Sequence, residues 1–215
     1  MKRILDFLFA ALGLLISFPL WPVFSVLIWL EDRGPVFYFQ ERVGKGGKMF
    51  MGIKFRSMKP QAGSEVVVVQ TQERDARVTK VGRLLRATAM DELPQLLNIL
   101  KGDMSFVGPR ALVPVEKEIN GQEEKSIFEF PGFKERSSVR PGLTGIAQVL
   151  APRDIDRLNK FKYDIWYVRN RSFLLDIYII TLSFLVTFIG RWESRDDKLS
   201  CLTKPIKDKI NKELE

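Results

Sequence analysis

Between Phe7 and Leu30 the chain reads FLFAALGLLISFPLWPVFSVLIWL, with no charged residue and with Pro19 and Pro22 inside the run. An apolar stretch of this length must find a dry environment, and about 20 residues suffice to cross a hydrocarbon core as a helix. Lys2, Arg3 and Asp6 flank its start; Glu31, Asp32 and Arg33 close it. A cleavable secretory leader does not fit, because its apolar region runs only ~7–15 residues before a small-residue cleavage site. Pro19 removes a backbone donor and, in a helix, clashes with the carbonyl of Leu15. A carbonyl freed inside lipid needs a new partner, and the hydroxyl of Ser17 is placed to make a local bond. Two architectures satisfy these facts. One is a kinked helix that spans the bilayer, which the residues alone slightly favour. The other turns at Ser17–Pro19 and returns to the side it entered. Basic residues near the start and a large basic domain after the end favour keeping both ends in the cytoplasm.

A second apolar stretch, Phe173–Gly190, is interrupted by Asp176. A carboxylate inside lipid costs ~2.5–3.5 kcal/mol, so a helix packed in the domain or lying on the membrane is expected over a second crossing. The tail from Arg195 onward is charged and is expected to be a solvated surface helix or partly disordered.

The chain of 215 residues carries 34 basic and 26 acidic side chains, a net charge of +8. That field attracts phosphate, whether on anionic lipid, nucleic acid or a small substrate. No histidine is present, which excludes a Ser-His-Asp triad and a histidine-ligated zinc site. Cys201 is the sole cysteine, so no intramolecular disulfide or multi-cysteine metal cluster can form. Chemistry is left to carboxylates, Lys, Arg, hydroxyls and a hard oxygen-bound metal such as magnesium.

In the polar middle, Val36–Gln40 and Met49–Phe55 read as partner strands joined by a turn at Gly44–Gly47. The GKGG sequence lacks the spacing of a nucleotide-phosphate loop and is read as that turn. Gln61–Gln72 reads as an exposed loop, with Val66–Val69 able to add a short strand. From Val81 helices take over, with Leu84, Leu85, Leu93, Leu96, Leu97 and Leu100 on an apolar face and Pro94 where a new helix can start. Glu116–Glu129 is expected to be a charged helix. Ile155, Leu158, Phe161 and Ile165 recur at helical spacing over Ile155–Trp166.

Three clusters can carry chemistry. In Arg86–Gln95, Asp91 and Glu92 are adjacent; neighbouring side chains on a helix point about 100° apart, so they need not share one role. Such a pair can be plain helix N-terminal charge, or can supply a nucleophile or a metal ligand whose basicity is set by Arg86 and by its neighbour. In Gly102–Arg110, a Gly-Pro turn holds the Arg110 guanidinium, whose fork suits phosphate. In Arg140–Gly145, followed by Gln148, another arginine sits on a Pro-Gly turn. Their coincidence in a basic, membrane-attached chain without histidine points to transfer of a phosphate-bearing group at the bilayer surface. A non-catalytic basic scaffold that binds anionic lipid or a partner is the alternative; no nucleic-acid module is recognisable.

The blocks GPVFYFQERVGKGGKMF, KFRSM, LLRATAMDELPQLLNILKGDMSFVGPR and SVRPGLTGIAQV, after the Pro-broken segment, resemble the bacterial monotopic phosphoglycosyl transferases. They span most of residues 1–150 in that family's order. The resemblance implies transfer of a phosphosugar from a UDP-sugar to polyprenyl phosphate, with release of UMP, by an enzyme using Mg2+. It implies Asp91 as nucleophile and magnesium neighbour, with Glu92 positioning or deprotonating. It further implies Arg86, Arg110, Lys54 and Arg56 as phosphate or substrate ligands, and Arg140, Thr144 and Gln148 as nucleotide contacts. It turns the membrane segment into a re-entrant helix broken at Ser17, Pro19 and Pro22, on the cytoplasmic face of the bacterial inner membrane.

The resulting expectation is a mainly α protein with a small β-hairpin (α+β). A re-entrant membrane helix-break-helix at 1–33 precedes a compact catalytic domain at 34–194 with interfacial amphipathic helices, and a charged tail at 195–215. Expected partners are the UDP-sugar, polyprenyl phosphate and inner-membrane lipid, with a homodimer left open and no nucleic acid. Measured against longer family members, the chain is expected to be the minimal catalytic unit. It departs from the family at the break, where Phe18 separates Ser17 from Pro19, and at Ala111, where a second proline is common.

Overall fold

The computed structural model describes residues 2–59, 75–116, 125–151, 155–188 and 200–214. The loop Gln61–Gln72, including Val66–Val69, lies outside them. Helices are α1 (Lys2–Ser17), α2 (Leu20–Asp32), α3 (Lys80–Ala87), α4 (Gln95–Lys101), α5 (Phe133–Arg136), α6 (Ile146–Leu150), α7 (Arg157–Asn170), α8 (Phe173–Phe188) and α9 (Ser200–Leu214). Strands are β1 (Phe37–Val43), β2 (Met49–Phe55), β3 (Ser105–Val107), β4 (Val115–Glu116), β5 (Lys125–Ser126) and β6 (Gly142–Thr144). They pair as an antiparallel β1–β2 hairpin, a parallel β3–β6 pair and an antiparallel β4–β5 pair. The α+β class with one small hairpin holds.

Helices α1 and α2 are bent by 62° about Phe18–Pro19; among the described residues no single helix is long and apolar enough to cross a membrane. Groups beside the break bond across it. The Ser17 hydroxyl donates to the Leu14 carbonyl at 3.4 Å and accepts the Trp21 indole N–H at 3.3 Å. The Phe18 carbonyl, which Pro22 cannot bond, takes the Trp21 N–H instead at 3.1 Å. The sides of α1 are the reverse of those in a soluble protein. Asp6, Ala10 and Ser17 face inward and Gly13 lies against Leu96, while Ile4, Leu8, Leu12, Leu15 and Ile16 are more than half exposed. Small residues let α1 approach α4 closely, and the large side chains are left to an apolar surrounding.

The charged ends of this segment bond to one globular body. Arg3 donates to the carbonyls of Ile99 and Leu100, capping the C-terminus of α4. Asp6 accepts the Phe106 N–H and the Ser105 hydroxyl. At the other end, Glu31 accepts the N–H groups of Lys80 and Val81 at 2.6 and 3.0 Å, capping α3, and Asp32 pairs with Arg56. Capping satisfies backbone groups that a helix end leaves unpaired.

The second apolar stretch is α8. Its 16 residues reach about 24 Å, and it buries Ile179, Leu182 and Val186 in the main core with Ile146, Leu150, Trp166 and Tyr167. Asp176 does not face lipid alone; it bonds Lys2 and the Tyr167 hydroxyl at 2.7 and 2.6 Å. Leu174 and Phe184 remain largely exposed on the outer side. In the tail, α9 inserts Ile210 into the same core.

Other local expectations meet the structure unevenly. The turn at Gly44–Gly47 forms with positive φ at Gly46 and Gly47, and Pro94 caps α4. Leu84, expected on the apolar face, is 61% exposed: α3 ends at Ala87, so the helical period does not continue into α4. The expected helix Glu116–Glu129 is corrected. Val115–Glu116 and Lys125–Ser126 pair as β4 and β5, a 3-10 turn covers Ile127–Glu129, and 117–124 lie outside the described residues. That segment has few apolar side chains for a helix to bury; Ile127 anchors it to a core, and Phe128 packs edge-on against Phe133.

Candidate active site

The hairpin supplies one wall of the site by simple alternation. Tyr38, Gln40 and Arg42 on β1 oppose Lys54, Gly52 and Phe50 on β2 in register, so the six share one face. That face lines a cleft of about 430 Å3 open to solvent, completed by Glu92, Gln95, Met104, Arg110, Ala111, Gly142, Leu143 and Gln148.

The opposite wall comes from the two arginine-bearing turns, which parallel pairing brings together. Ser105 N–H donates to Pro141, Gly108 N–H to Thr144 and Gly142 N–H to Pro109, at 2.9, 3.0 and 2.9 Å. The backbones approach so closely that a Cβ on Gly108 would lie 2.4 Å from the Arg140 carbonyl. Arg110 emerges here, its side chain exposed and its carbonyl held by Arg136 at 2.6 Å. Arg136 is fixed in turn by a buried ion pair with Asp164 at 2.8 Å.

Asp91 and Glu92 sit in a 3-10 turn, Met90–Glu92, between α3 and α4. Ala89 enters it with φ 55°, a left-handed conformation that costs a non-glycine residue about 1–2 kcal/mol. The two carboxylates have different surroundings. Asp91 is buried and accepts no hydrogen bond among the described residues. Burial, and then the charge of Glu92, push its carboxyl above the ordinary aspartate range against the opposing pull of Lys54, Arg86 and Arg110. Glu92 opens onto the cleft and pairs with Lys54. Burial would raise its carboxyl too, but Lys54, then Arg110 and Arg42, hold it below the usual range.

Of the residues singled out from sequence, Glu92, Lys54, Arg110 and Gln148 line the cleft; Asp91, one residue before Glu92, is not among its lining residues, and Arg86 lies within electrostatic reach of Asp91. Others go elsewhere. Arg56 pairs with Asp32 at the end of α2, Arg140 donates to the Gly102 carbonyl at 2.7 Å, and Thr144 uses its carbonyl on Gly108. Arg42, Gln40, Tyr38 and Gln95 were missed, although the hairpin's period of two places the first three with Lys54. Arg42 donates to the Ala111 carbonyl at 3.0 Å and to Gln40.

Among the described residues no three carboxylate or thiol side chains gather into a protein-only metal cage. Magnesium does not need one, since it usually takes one or two carboxylates and completes its shell with water and substrate phosphate. A buried Asp91 carboxylate without a hydrogen bond, next to a second carboxylate, is a donor that such a cation relieves. The residues fit that group.

A family model for bacterial sugar transferases matches residues 1–190. A Bacillus subtilis protein, provisionally named an undecaprenyl-phosphate N-acetylgalactosaminyl 1-phosphate transferase, is 51% identical over 63% of this chain and 72% of its own length. A UDP-N-acetylgalactosamine-undecaprenyl-phosphate N-acetylgalactosaminephosphotransferase of Aeromonas hydrophila is 40% identical over 88% of this chain. A UDP-glucose:undecaprenyl-phosphate glucose-1-phosphate transferase of Klebsiella pneumoniae is 37% identical, also over 88%. The match spans less than half of the last two proteins, 44% and 40% of their lengths. The chain belongs to the bacterial sugar transferase family, and it is a transferase of the phosphoglycosyl class to which its motifs pointed.

Proposed function

We propose that the chain transfers a phosphosugar from a UDP-sugar to polyprenyl phosphate through a covalent intermediate on Asp91. The observation that carries this is the split environment of the carboxylate pair. A carboxylate held above its ordinary pKa and free of hydrogen bonds is the more nucleophilic, whereas Glu92 is tied to Lys54. An Asp91 oxygen attacks the sugar-bearing phosphorus, and the bond from that phosphorus to the bridging oxygen breaks, with UMP leaving with the electron pair. An oxygen of the lipid phosphate then attacks the same phosphorus, the acyl-phosphate bond breaks, and Asp91 is regenerated.

Lys54, Arg110 and Arg86 offset charge on the transferring phosphoryl group and the departing UMP. Magnesium, when bound at Asp91 with substrate phosphate, supplies further neutralisation of that charge. Glu92 orients Lys54 and is placed to take a proton from the incoming group. Covalent capture lets a soluble donor and a lipid acceptor use the cleft in turn. The relatives are named for N-acetylgalactosamine and for glucose donors, which supports a UDP-sugar without choosing its sugar.

The membrane segment is proposed to be re-entrant, in the cytoplasmic leaflet. Residues 2–32 as a straight helix would reach about 45 Å, yet the charged groups at both ends bond to the same domain. This keeps the site at the level of the lipid phosphate. With Cys201 replaced, single cysteines before Leu5 and after Gly34 should label from the same side of a vesicle; labelling from opposite sides refutes re-entry.

The reaction is tested by incubating the chain with a panel of UDP-sugars, Mg2+ and undecaprenyl phosphate and measuring UMP. Release with at least one donor, dependent on the lipid, is expected. Its absence with every donor would favour the basic-scaffold alternative.

A further inference from the structure

Asn98, in the middle of α4, is 1% exposed and uses every hydrogen-bonding group of its side chain. Its Oδ1 accepts the N–H of Ile53 at 3.2 Å, and its Nδ2 donates to the Met51 carbonyl at 2.8 Å and to Asp103 Oδ2 at 3.3 Å. Among the described residues strand β2 has β1 as its only strand partner, so this amide serves its other edge as a neighbouring strand would. Only an amide of this length offers a donor and an acceptor side by side; aspartate cannot donate and leucine can do neither. The backbone carbonyl of Asn98 is also taken, accepting from Gly102, Asp103 and Met104 at 3.0, 3.0 and 3.3 Å.

These bonds close a ring around the chemistry. Met51 and Ile53 flank Gly52 and precede Lys54, and Lys54 pairs with Glu92, just ahead of α4. The turn held by the Asn98 carbonyl leads through β3 to Arg110. We propose that Asn98 is a positioning residue, which fixes the Lys54-bearing strand at the distance from α4 where Lys54 neutralises Glu92. This rests on the reading of the cleft as a phosphosugar transfer site, and it adds a residue that touches neither substrate nor metal. The charged groups facing Glu92 are Lys54 from β2, Arg42 from β1, Arg110 after β3 and the neighbouring Asp91. Asn98 acts on the first of these through its bonds to Met51 and Ile53.

The test uses the full chain in lipid nanodiscs, with Asn98→Leu and the milder Asn98→Ser. The Lys54 ammonium is followed by 15N NMR at one pH, which reads the proposal without turnover. The signal of an ammonium held against Glu92 is expected in the parent chain and is expected to be lost in both variants as Lys54 loosens. An undiminished signal in the variants overturns the proposal, even where the melting temperature falls. Turnover supplies a second arm: Asn98→Ser should lower kcat about tenfold with donor KM little changed. In a Lys54→Met background the same change should cost less than about twofold, because its effect is already lost. Independent, multiplying losses also overturn it. If the parent chain releases no UMP while the Lys54 ammonium signal is still lost in the variants, the function reading fails and the positioning role of Asn98 stands.

Discussion

Lys54, at the end of the hairpin's second strand, pairs its ammonium with the carboxylate of Glu92, one residue after the buried Asp91. The pair joins the hairpin to the turn between α3 and α4, and the Asn98 amide bonds the same strand from α4. The side chains are 20% and 21% exposed, so the pair is shielded but reachable from the cleft.

Lys54→Met should therefore cost both stability and rate. Glu92's folded pKa lies below its ordinary value, so its contribution to stability is present above that value and is lost as pH falls through the folded one. At pH 7 the variant should lose about 1–2 kcal/mol, and the deficit should shrink below about pH 4 as Glu92 protonates. Urea unfolding at the two pH values checks this. The acid limb of kcat should move to higher pH.

Asp91→Asn should do the opposite to stability while abolishing turnover. Asp91 titrates above its ordinary value when folded, so the stability linked to it is present below the unfolded pKa and lost as pH rises through the folded one. Removing the charge should raise stability at neutral pH by an amount on the order of 1 kcal/mol, with no gain below about pH 3.5. A thermal melt without magnesium at each pH is the measurement.

Glu31→Gln tests whether the end of α2 supports the carboxylate-bearing turn. The carboxylate accepts two N–H groups at the start of α3, and a neutral amide oxygen replaces this poorly. A loss of about 1 kcal/mol is expected, with kcat lowered because α3 carries Arg86 and leads into Asp91.

Gly108→Ala should separate the two arginine turns. The new Cβ would meet the Arg140 carbonyl at 2.4 Å, a backbone atom that cannot swing aside. A cost of about 1–3 kcal/mol and loss of activity are expected, read by unfolding midpoint and UMP release.

Much of this was legible in residue patterns. Pro19 announced the break, Gly44–Gly47 the hairpin turn, and Pro94 the start of α4, because each imposes a backbone geometry on its own. The carboxylate pair and Lys54 stood in long, distinctive blocks. The parallel pairing of β3 with β6 was not legible: strands of three residues carry no useful alternation, and their partner choice is tertiary. Arg56 and Arg140 show the same limit, since a guanidinium's partner depends on what packing brings near it. Asp32 and the Gly102 carbonyl took them. The Trp21 indole bond to the Ser17 hydroxyl was also hidden, because it depends on a side chain folding back one turn.

Whether Asp91 carries the phosphosugar is visible in the mass of the protein itself. The full chain in nanodiscs, given a UDP-sugar that supports UMP release and Mg2+ but no lipid acceptor, is analysed by intact mass and then by peptide mapping. An added phosphosugar on Asp91 is expected, discharged when undecaprenyl phosphate is supplied and absent from Asp91→Asn. An adduct on Glu92, or UMP release that continues in Asp91→Asn, would overturn the proposed mechanism.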